Sequence, residues 1–359
     1  MRQIKDNGLV ELKINGASIV MLLGARRINP GVPSVLMLDC QSYINKIDFQ
    51  MQSGISYVYD AIKPHIEEVL QKTVTQQLCS ALRTQIFGWD EYFRNLNLNF
   101  TMYSNTEADL SLTSNPEISD KYADLNLKGQ FRVPNVTTLE DFSPAPITFP
   151  AKNSNRSCAG ISEASINSLV AAYYSSGSLN TMLSNASDSI KITTLNLTDV
   201  VPEISKIFKN PTPAKIRLYA TSSPKVTLNA KNITMDFQGL FQIHVKPAEG
   251  KSQSVIEAKI LAVLNGKISI SDAKTFRGLI VNASTSLQRL QIDKAEPNNK
   301  EPKDATSEKA IQHIFSQMLL PNINEKLEQG MRIPSKILMN PSITSQKGYE
   351  QVEMDFIWG

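Results

Sequence analysis

The residues that could perform chemistry in this chain are few and far apart. Three histidines occur, His65, His244 and His313, and none stands at metal-ligand spacing from another histidine or a cysteine. Glycine-rich phosphate loops, the nucleophile motif GxSxG and the zinc motif HExxH do not occur in the sequence. A lone histidine is usually a surface or hydrogen-bonded residue, so the sequence gives no positive sign of an enzyme and predicts no cofactor and no metal.

The three cysteines admit two interpretations. Cys40 lies at the end of a predicted strand and Cys79 lies on a predicted helix. A disulfide between them would close a loop of about 39 residues and contribute roughly 3–4 kcal/mol in the chain-entropy model. The alternative is two unrelated buried thiols. Cys158 is left over and is predicted to be a buried free thiol.

N-x-S/T motifs, the acceptor sequence for N-glycosylation, are the next feature with chemical meaning. The chain contains seven, where about four would arise by chance. The excess favours the secretory route and predicts a glycoprotein. The candidate acceptors are Asn99, Asn135, Asn155, Asn185, Asn196, Asn232 and Asn282.

Composition narrows the class of protein further. The 359 residues are 41% hydrophobic and 20% charged, which is enough apolar material for a packed core and a length typical of two domains. The formal net charge is only +3, which excludes a strongly cationic nucleic-acid binder. No uninterrupted apolar run in the sequence approaches the roughly 18 residues that a membrane-spanning helix needs.

The first half of the chain changes from strand to helix periodicity. Residues 8–50 alternate apolar and polar side chains around an Asn-Pro-Gly turn at 29–31, which predicts antiparallel strands. Over 54–86 apolar residues recur every three to five positions, which predicts a long helix with one apolar stripe. Residues 125–133 return to strand periodicity, and the prolines of 134–150 favour an extended linker.

The second half repeats this order. A short helix is predicted over 162–176 and a second long helix over 308–329, with Gly330 as its C-cap and Pro334 preventing continuation. The chain ends in an alternating stretch at 352–358. The strands predicted between the two helices cover residues 190–197, 215–220, 233–237, 241–245, 255–263, 267–270 and 278–290.

This order is a loose internal duplication. It predicts an α+β fold in which strongly twisted antiparallel sheets are each wrapped around a long helix. A helix rolled in one sheet leaves a seam, and such a seam suits an elongated apolar ligand. The alternative is plain core packing, in which side chains fill the seam.

Several segments, spread from about Gly8 to Trp358, together resemble one known family, that of the bactericidal/permeability-increasing and lipopolysaccharide-binding proteins. Their order and spacing match the end of the family's second long helix, its proline-rich crossing and the start of the helix after that crossing. The segments are LLPNINEKLEQG at 319–330 followed by Ile333-Pro334, LKGQF at 127–131, PAP at 144–146, FP at 149–150 and GISE at 160–163.

The resemblance implies two pseudo-repeated barrel modules joined by a central sheet and a proline-rich linker, each barrel with an apolar pocket for phospholipid acyl chains. It implies a partial N-terminal barrel over 1–128, the linker and central sheet over 129–151, and a complete C-terminal barrel over 152–359. It also implies a secreted, non-enzymatic protein with the disulfide Cys40–Cys79 and a place in lipid transfer or innate immunity. The implied partners are a phospholipid or another amphipathic lipid and a membrane or lipoprotein surface, with no nucleic acid, and the oligomeric state stays open.

Two departures from the family pattern shape these expectations. Residues 1–8 lack the apolar region of a signal peptide, so the chain is expected to begin partway through the first barrel, and secretion is predicted from the sequons and the resemblance. Endotoxin binders of the family carry a lysine-rich tip on the first barrel. Residues 1–128 contain 12 Lys and Arg against 14 Asp and Glu, which weakens the endotoxin interpretation.

The predicted lipid contacts are apolar side chains on the three helices. A protein-interaction or structural module of the same fold, with side chains filling the pockets, is the alternative function. The candidates are Ile55, Val58, Ile62 and Val69 on the first long helix, Ile166, Leu169, Val170 and Tyr173 on the short helix, and Ile311, Ile314, Phe315 and Met318 on the second long helix.

Overall fold

The structure is a computed structural model, and the chain in it forms two compact units. Unit 1 comprises residues 1–100 and 109–128, and unit 2 comprises 101–108 and 129–359. The described residues form a mixed α and β fold with antiparallel sheets, as predicted. The structure describes residues 9–52, 56–102, 105–119, 122–136, 142–144, 147–149, 156–184, 192–198, 203–246, 252–274, 278–294, 305–334 and 338–356.

Unit 1 is built from one hairpin and one long helix. Strands β1 (Leu9–Ile28) and β2 (Val32–Gln52) pair antiparallel along their whole length. Helix α1 (Ser56–Arg94) packs on β2. The hairpin confirms the antiparallel strands predicted for this region.

The turn of the hairpin depends on a glycine. Gly31 has φ +126° and donates its N–H to the carbonyl of Ile28 at 2.7 Å. Its own carbonyl accepts from the N–H of Leu112 at 2.7 Å. A Cβ at this position would lie 2.7 Å from Cβ of Ser111, so both the backbone angle and the close approach require glycine.

Helix α1 ends at Arg94, eight residues beyond the predicted end at residue 86. Ile86, the last residue of the predicted apolar stripe, is buried, and the next turn is anchored by a carboxylate. Asp90 is buried and accepts from the hydroxyl of Ser34 at 2.7 Å and from the N–H of Val35 at 2.9 Å. Hydrophobic periodicity does not register a polar anchor of this kind, so it underestimated the helix.

Short strands follow α1. The stretch predicted as strand at 125–133 contains only three strand residues, in β7 (Gln130–Arg132). This strand also lies in the segment 129–151 predicted as linker and central sheet, and that role stays a prediction. The strands are β3 (Asn99–Thr101), β4 (Glu107–Asp109), β5 (Glu117–Ile118), β6 (Ala123–Asp124) and β7 (Gln130–Arg132).

Unit 2 contains a seven-stranded antiparallel sheet. Its strands are β9 (Asn180–Leu183), β10 (Ala214–Ala220), β11 (Lys225–Leu228), β12 (Ile233–Val245), β13 (Gln253–Asp272), β14 (Gly278–Lys294) and β15 (Met331–Pro334). They pair in the order β15-β14-β13-β12-β10-β9, with β11 also paired to β12. The strands predicted at 233–237 and 241–245 are one continuous strand, β12, and those predicted at 255–263 and 267–270 are one continuous strand, β13.

A second long helix packs on the inner face of this sheet. It consists of α5 (Ala305–Ile314), a π-helical turn (Phe315–Leu319) and α6 (Leu320–Glu328), close to the predicted 308–329. The π turn places the N–H of Leu320 on the carbonyl of Phe315, just before Pro321, which has no N–H to continue the α-helical ladder. Gly330, at φ +66°, ends the helix as predicted.

The remaining elements of unit 2 are a short helix and a three-stranded sheet. Helix α2 (Glu163–Ser175) confirms the predicted short helix, and Ser162 caps it by accepting from the N–H of Ser165. The strand predicted at 190–197 is wrong where the structure describes it, because Thr193 and Asn196 exchange cap hydrogen bonds that start helix α3 (Thr194–Thr198). The other elements are α4 (Glu203–Ile207) and the strands β8 (Ser157–Ser162), β16 (Leu338–Gln346) and β17 (Tyr349–Phe356), paired in the order β16-β17-β8.

Candidate functional site

Helix α1 carries the first group of predicted lipid contacts. Ile62 and Val69 are 47% and 49% exposed, so within unit 1 they are open to a ligand or solvent. Ile55 and the side chain of Val58 lie outside the described residues. Their predicted contact with lipid stays a prediction.

Polar bonds and one disulfide fix which face α1 turns to β2. The Cα atoms of Cys40 and Cys79 are 5.8 Å apart, and the structure contains the disulfide that the resemblance implies. The hydroxyl of Ser42 donates to the carbonyl of Thr75 at 2.6 Å, and the amide of Gln71 donates to the carbonyl of Ile44 at 2.7 Å. These side-chain-to-backbone bonds along the strand hold the helix in one register.

Exposed apolar side chains on the hairpin form a surface that sequence reasoning missed. Five consecutive residues of β1, Ile19 to Leu23, are exposed, so both faces of this part of the strand are open in unit 1. The available signal was the uncharged run 17–25, which breaks the alternation expected of a half-buried strand. The large exposed apolar residues of the hairpin are Leu12, Ile14, Ile19, Val20, Met21, Leu22, Leu23, Leu38 and Tyr43.

Helix α2 carries the second group of predicted lipid contacts. Ile166 and Val170 pack against a small cluster formed by Val226, Leu228 and Ile233. Polar bonds set this position, because Asn167 bonds both the N–H and the carbonyl of Val226, each at 2.8 Å. The carboxylate of Glu163 accepts from the N–H of Leu228 at 2.8 Å. The other two candidates of this group, Leu169 and Tyr173, are half-buried, and burial raises the pKa of the Tyr173 hydroxyl.

The third group lies in the main core of unit 2. Ile311, Ile314 and Phe315 are buried among side chains of β10, β12 and β13, and Met318 packs against the same core. The amide of Asn324 fixes the helix by bonding the N–H and the carbonyl of Thr285, each at 2.8 Å. The lipid contact predicted for this group stays a prediction, and the contacts seen are with protein side chains.

The second and third groups therefore occupy separate clusters within unit 2. Met235 of β12 packs against both clusters and is the bridge between them. A seam between helix and sheet would run past this residue. Periodicity could not identify Met235, because it lies on a strand rather than on a predicted helix.

Two buried carboxyl groups have pKa values shifted in opposite directions. For Asp90 in unit 1, burial opposes ionisation, but hydrogen bonds from Ser34, Arg94 and Val35 outweigh it and hold the pKa below its ordinary value. For Glu350 in unit 2, burial raises the pKa and the hydrogen bond from Ser345 only partly opposes it. Glu350 is 1% exposed, and its Oε1 atom has no hydrogen-bond partner among the described residues.

The predicted contact residues offer mainly apolar surface. Among the side chains that the structure describes, no three histidine, cysteine, aspartate or glutamate residues are grouped to hold a metal. None of the helices in the described ranges has both the length and the apolar composition of a membrane span. The arrangement is suited to burying apolar surface between helix and sheet.

Comparison with known proteins settles the family. The model of the LBP / BPI / CETP family C-terminal domain matches residues 102–356. The chain belongs to this family. The resemblance read from the sequence is thereby confirmed.

Members of the family align with nearly the whole chain. The BPI fold-containing family C protein of Homo sapiens is 25% identical over 356 residues, covering 98% of this chain and 69% of that protein. The bactericidal permeability-increasing protein of Rattus norvegicus is 24% identical over 372 residues, covering 98% and 73%. A crystal structure of lipopolysaccharide binding protein matches with a TM-score of 0.55 at 17% identity, covering 98% of this chain and 77% of the other, and this likeness supports the same fold.

The candidate glycosylation sites differ in access. Asn99, Asn135, Asn196 and Asn232 are exposed, whereas Asn155 and Asn185 lie outside the described residues. Asn282 is half-buried on β14, and its Oδ1 atom is buried.

The third cysteine differs from its prediction. Cys158 is exposed on β8, so the predicted burial is wrong. The alternation of β8 explains this, because Ala159 and Ile161 are the residues of that strand that pack against an apolar cluster.

Proposed function

We propose that this protein binds an amphipathic lipid non-enzymatically, with the acyl chains held against apolar side chains between helix and sheet. The observation that carries the proposal is membership of the LBP / BPI / CETP family over residues 102–356. The names of two relatives state what those proteins do: one is a lipopolysaccharide-binding protein and the other a bactericidal permeability-increasing protein. The finer statement, that the ligand is phospholipid-like, is part of the proposal.

Burial of methylene groups supplies the binding free energy in this mechanism. Each buried methylene contributes about 0.8 kcal/mol, so a two-chain lipid needs few directed polar contacts. The exposed apolar residues of β1 with Ile62 and Val69 of α1 offer such surface in unit 1. In unit 2 the half-buried residues Leu169 and Tyr173 of α2 do so.

The proposal includes the modular organisation that the resemblance implies. Residues 1–128 would form a partial N-terminal barrel and 152–359 a complete C-terminal barrel, with 129–151 as the proline-rich linker and central sheet. Each barrel would hold acyl chains along its own long helix. Secretion, glycosylation at the exposed sequons and a role in lipid transfer or innate immunity belong to the same proposal.

The alternative function is a protein-interaction or structural module of the same fold. One observation favours it for part of unit 2, because Ile311, Ile314 and Phe315 are already buried among protein side chains. Endotoxin binding is a narrower form of the lipid proposal. The net charge of −2 over residues 1–128 argues against it, because capture of phosphorylated lipid A requires positive charge.

Copurified lipid tests the proposal. The full chain is produced in a eukaryotic secretion host, and bound lipid is extracted and identified by mass spectrometry. We expect near-stoichiometric lipid with two acyl chains. Well-folded protein that carries no lipid, and takes up none from phospholipid vesicles, would favour the protein-interaction function.

A further inference from the structure

A cleft on unit 2 lies apart from the apolar surfaces described so far. It has a volume of about 160 Å³ and lies between the turn after α2 and strands β9 and β10. Its lining includes Tyr174, Leu179, Asn180, Arg217 and Tyr219. This is a mixed surface of aromatic, amide and guanidinium groups.

The cleft lies on the outer face of the seven-stranded sheet. Ile216 and Leu218 of β10 are buried in the core, and side chains alternate along a strand. Arg217 and Tyr219 therefore project from the opposite face. The cleft is open at the turn after α2, where Gly177 has no atom within 4 Å of the position a Cβ would take.

The guanidinium group of Arg217 is held in place by two neighbours. Its Cζ atom lies 4.6 Å from the centroid of the Tyr219 ring, a cation–π contact. Its Nε donates to Oδ1 of Asn180 at 3.2 Å. The Tyr219 ring fixes the plane of the guanidinium and the Asn180 amide fixes its rotation. The two Nη atoms are therefore the donors that remain available to a ligand.

This charge has no ion-pair partner among the described residues. Its neighbours across the sheet are Met182 of β9 and Gln242 of β12, and neither is charged. Oδ1 of Asn180 is occupied by Arg217, so the amide nitrogen of Asn180 is a second donor at the cleft. An oriented guanidinium beside an amide donor has the chemistry of an oxyanion site.

We propose that this cleft binds a phosphate oxyanion, with the Nη edge of Arg217 and the amide nitrogen of Asn180 as donors. Phosphate matches the fork of a guanidinium in a bidentate arrangement. The phosphate could come from a lipid headgroup or from a free phosphate monoester. The lipid-headgroup form rests on the proposed function, whereas the free-phosphate form does not.

Two variants of the full chain test the site. Arg217→Gln removes the charge from the cleft, and Lys215→Gln is the matched control, because Lys215 is exposed on the same face of β10 and does not line the cleft. Titration calorimetry with sn-glycerol 3-phosphate gives the affinity for a free monoester. Sedimentation with phosphatidylcholine vesicles, with and without phosphatidic acid, tests the headgroup.

We expect Arg217→Gln to lose roughly tenfold or more in affinity for glycerol 3-phosphate, since hydrogen bonds to a charged partner are the strong ones. Lys215→Gln is expected to stay within about twofold of the parent protein. If Arg217→Gln also loses the dependence of vesicle binding on phosphatidic acid, the phosphate comes from a lipid headgroup. If the substitution weakens binding of glycerol 3-phosphate but leaves vesicle binding unchanged, the phosphate comes from a soluble monoester.

Absence of glycerol 3-phosphate binding, or equal losses in the two variants, would overturn the inference. Circular dichroism checks that each variant is folded. If Arg217→Gln does not fold, Arg217→Lys takes its place in the test. This variant keeps the charge without the planar fork and is expected to lose part of the affinity. Copurified lipid is measured on the same protein. A protein that carries lipid but does not bind glycerol 3-phosphate overturns this inference alone. A protein that binds glycerol 3-phosphate but carries no lipid overturns the proposed function alone.

Discussion

The two long helices of this protein meet very different surroundings. In unit 1, α1 packs on β2 of a single hairpin, and the apolar residues of β1 with Ile62 and Val69 remain exposed. In unit 2, the helix α5–π–α6 lies against a seven-stranded sheet, and Ile314 and Phe315 are no more than 1% exposed. Both helices were predicted from the same kind of apolar stripe.

The difference shows that an apolar stripe specifies a helix but not its burial. A wide sheet surrounds the helix of unit 2 with side chains from β10, β12 and β13. A two-stranded sheet cannot cover the helix of unit 1, so that unit relies on a disulfide and on polar bonds such as those of Asp90 and Gln71. We therefore expect the two units to respond differently to the same kinds of change.

Removing a core side chain of unit 2 should have the largest effect. Phe315→Ala is expected to lower the free energy of unfolding by about 3–5 kcal/mol, because it loses buried apolar area and leaves a cavity. Chemical denaturation measures the loss, and hydrogen exchange should locate it in β10, β12 and β13. A loss under about 1 kcal/mol would mean that the site is not a packed core.

Removing the disulfide should be the largest change available in unit 1. The double variant Cys40→Ser with Cys79→Ser is expected to lose about 3–4 kcal/mol, because the unfolded chain regains the entropy of the loop between residues 40 and 79. Fluorescence of Trp89 on α1, in a Trp358→Phe background, follows this unit. Reductant provides the control, since it should destabilise the parent protein and leave the double variant unchanged.

Neutralising Asp90, which anchors the end of α1 in unit 1, should have the next largest effect. Asp90→Asn is expected to lose about 2 kcal/mol at pH 7, because a buried carboxylate that accepts three hydrogen bonds is replaced. The folded-state pKa of Asp90 lies below the ordinary 3.8, so its contribution is present above that pH and is lost as pH falls through the folded value. Below pH 3.8 the free energy of unfolding of the parent protein, followed by Trp89 fluorescence, should therefore approach that of Asp90→Asn. If the free energies of the two proteins changed in parallel with pH, this would contradict the prediction.

Glu350 of unit 2 should show the opposite sign. Its pKa is raised by burial above the ordinary 4.5, so the folded state binds the proton more tightly and stability increases as pH falls from the folded pKa toward 4.5. Glu350→Gln is expected to stabilise the protein by about 1 kcal/mol at pH 7 and to remove this pH dependence. Denaturation at pH 7 and pH 4.5 measures both, and a destabilised variant at pH 7 would be evidence against a costly buried carboxylate.

The exposed stripe of α1 should give the smallest change in stability. Ile62→Ala with Val69→Ala is expected to alter the free energy of unfolding by about 0.5 kcal/mol or less, since both side chains are half exposed. Bound lipid should fall in the same variant if unit 1 holds acyl chains. Lys72→Ala, which truncates an exposed charged side chain of the same helix, is the control and should leave bound lipid unchanged.

Sequence periodicity worked best where local patterns decide structure. The hairpin around residues 29–31, helix α2 and the end of the second long helix at Gly330 were all predicted, because turn residues, caps and apolar spacing are local signals. It failed where polar hydrogen bonds decided the structure, because hydrophobic spacing does not register them. The bonds of Asp90 to the distant residues Ser34 and Val35 anchor the last turns of α1, and the local cap at Thr193 and Asn196 replaces a predicted strand with α3.

The amino-acid sequence by itself determined the family, the α+β class, the long helices and the two cysteines that the disulfide joins. Tertiary structure alone decided which apolar stripe is buried, because burial depends on how many strands surround a helix. It also decided that Phe315 lies in a core, that Ile19 to Leu23 are exposed, and that Arg217 stands over Tyr219 beside Asn180. These relations depend on which strands and helices pack beside each residue, and hydrophobic periodicity along the chain does not specify that packing.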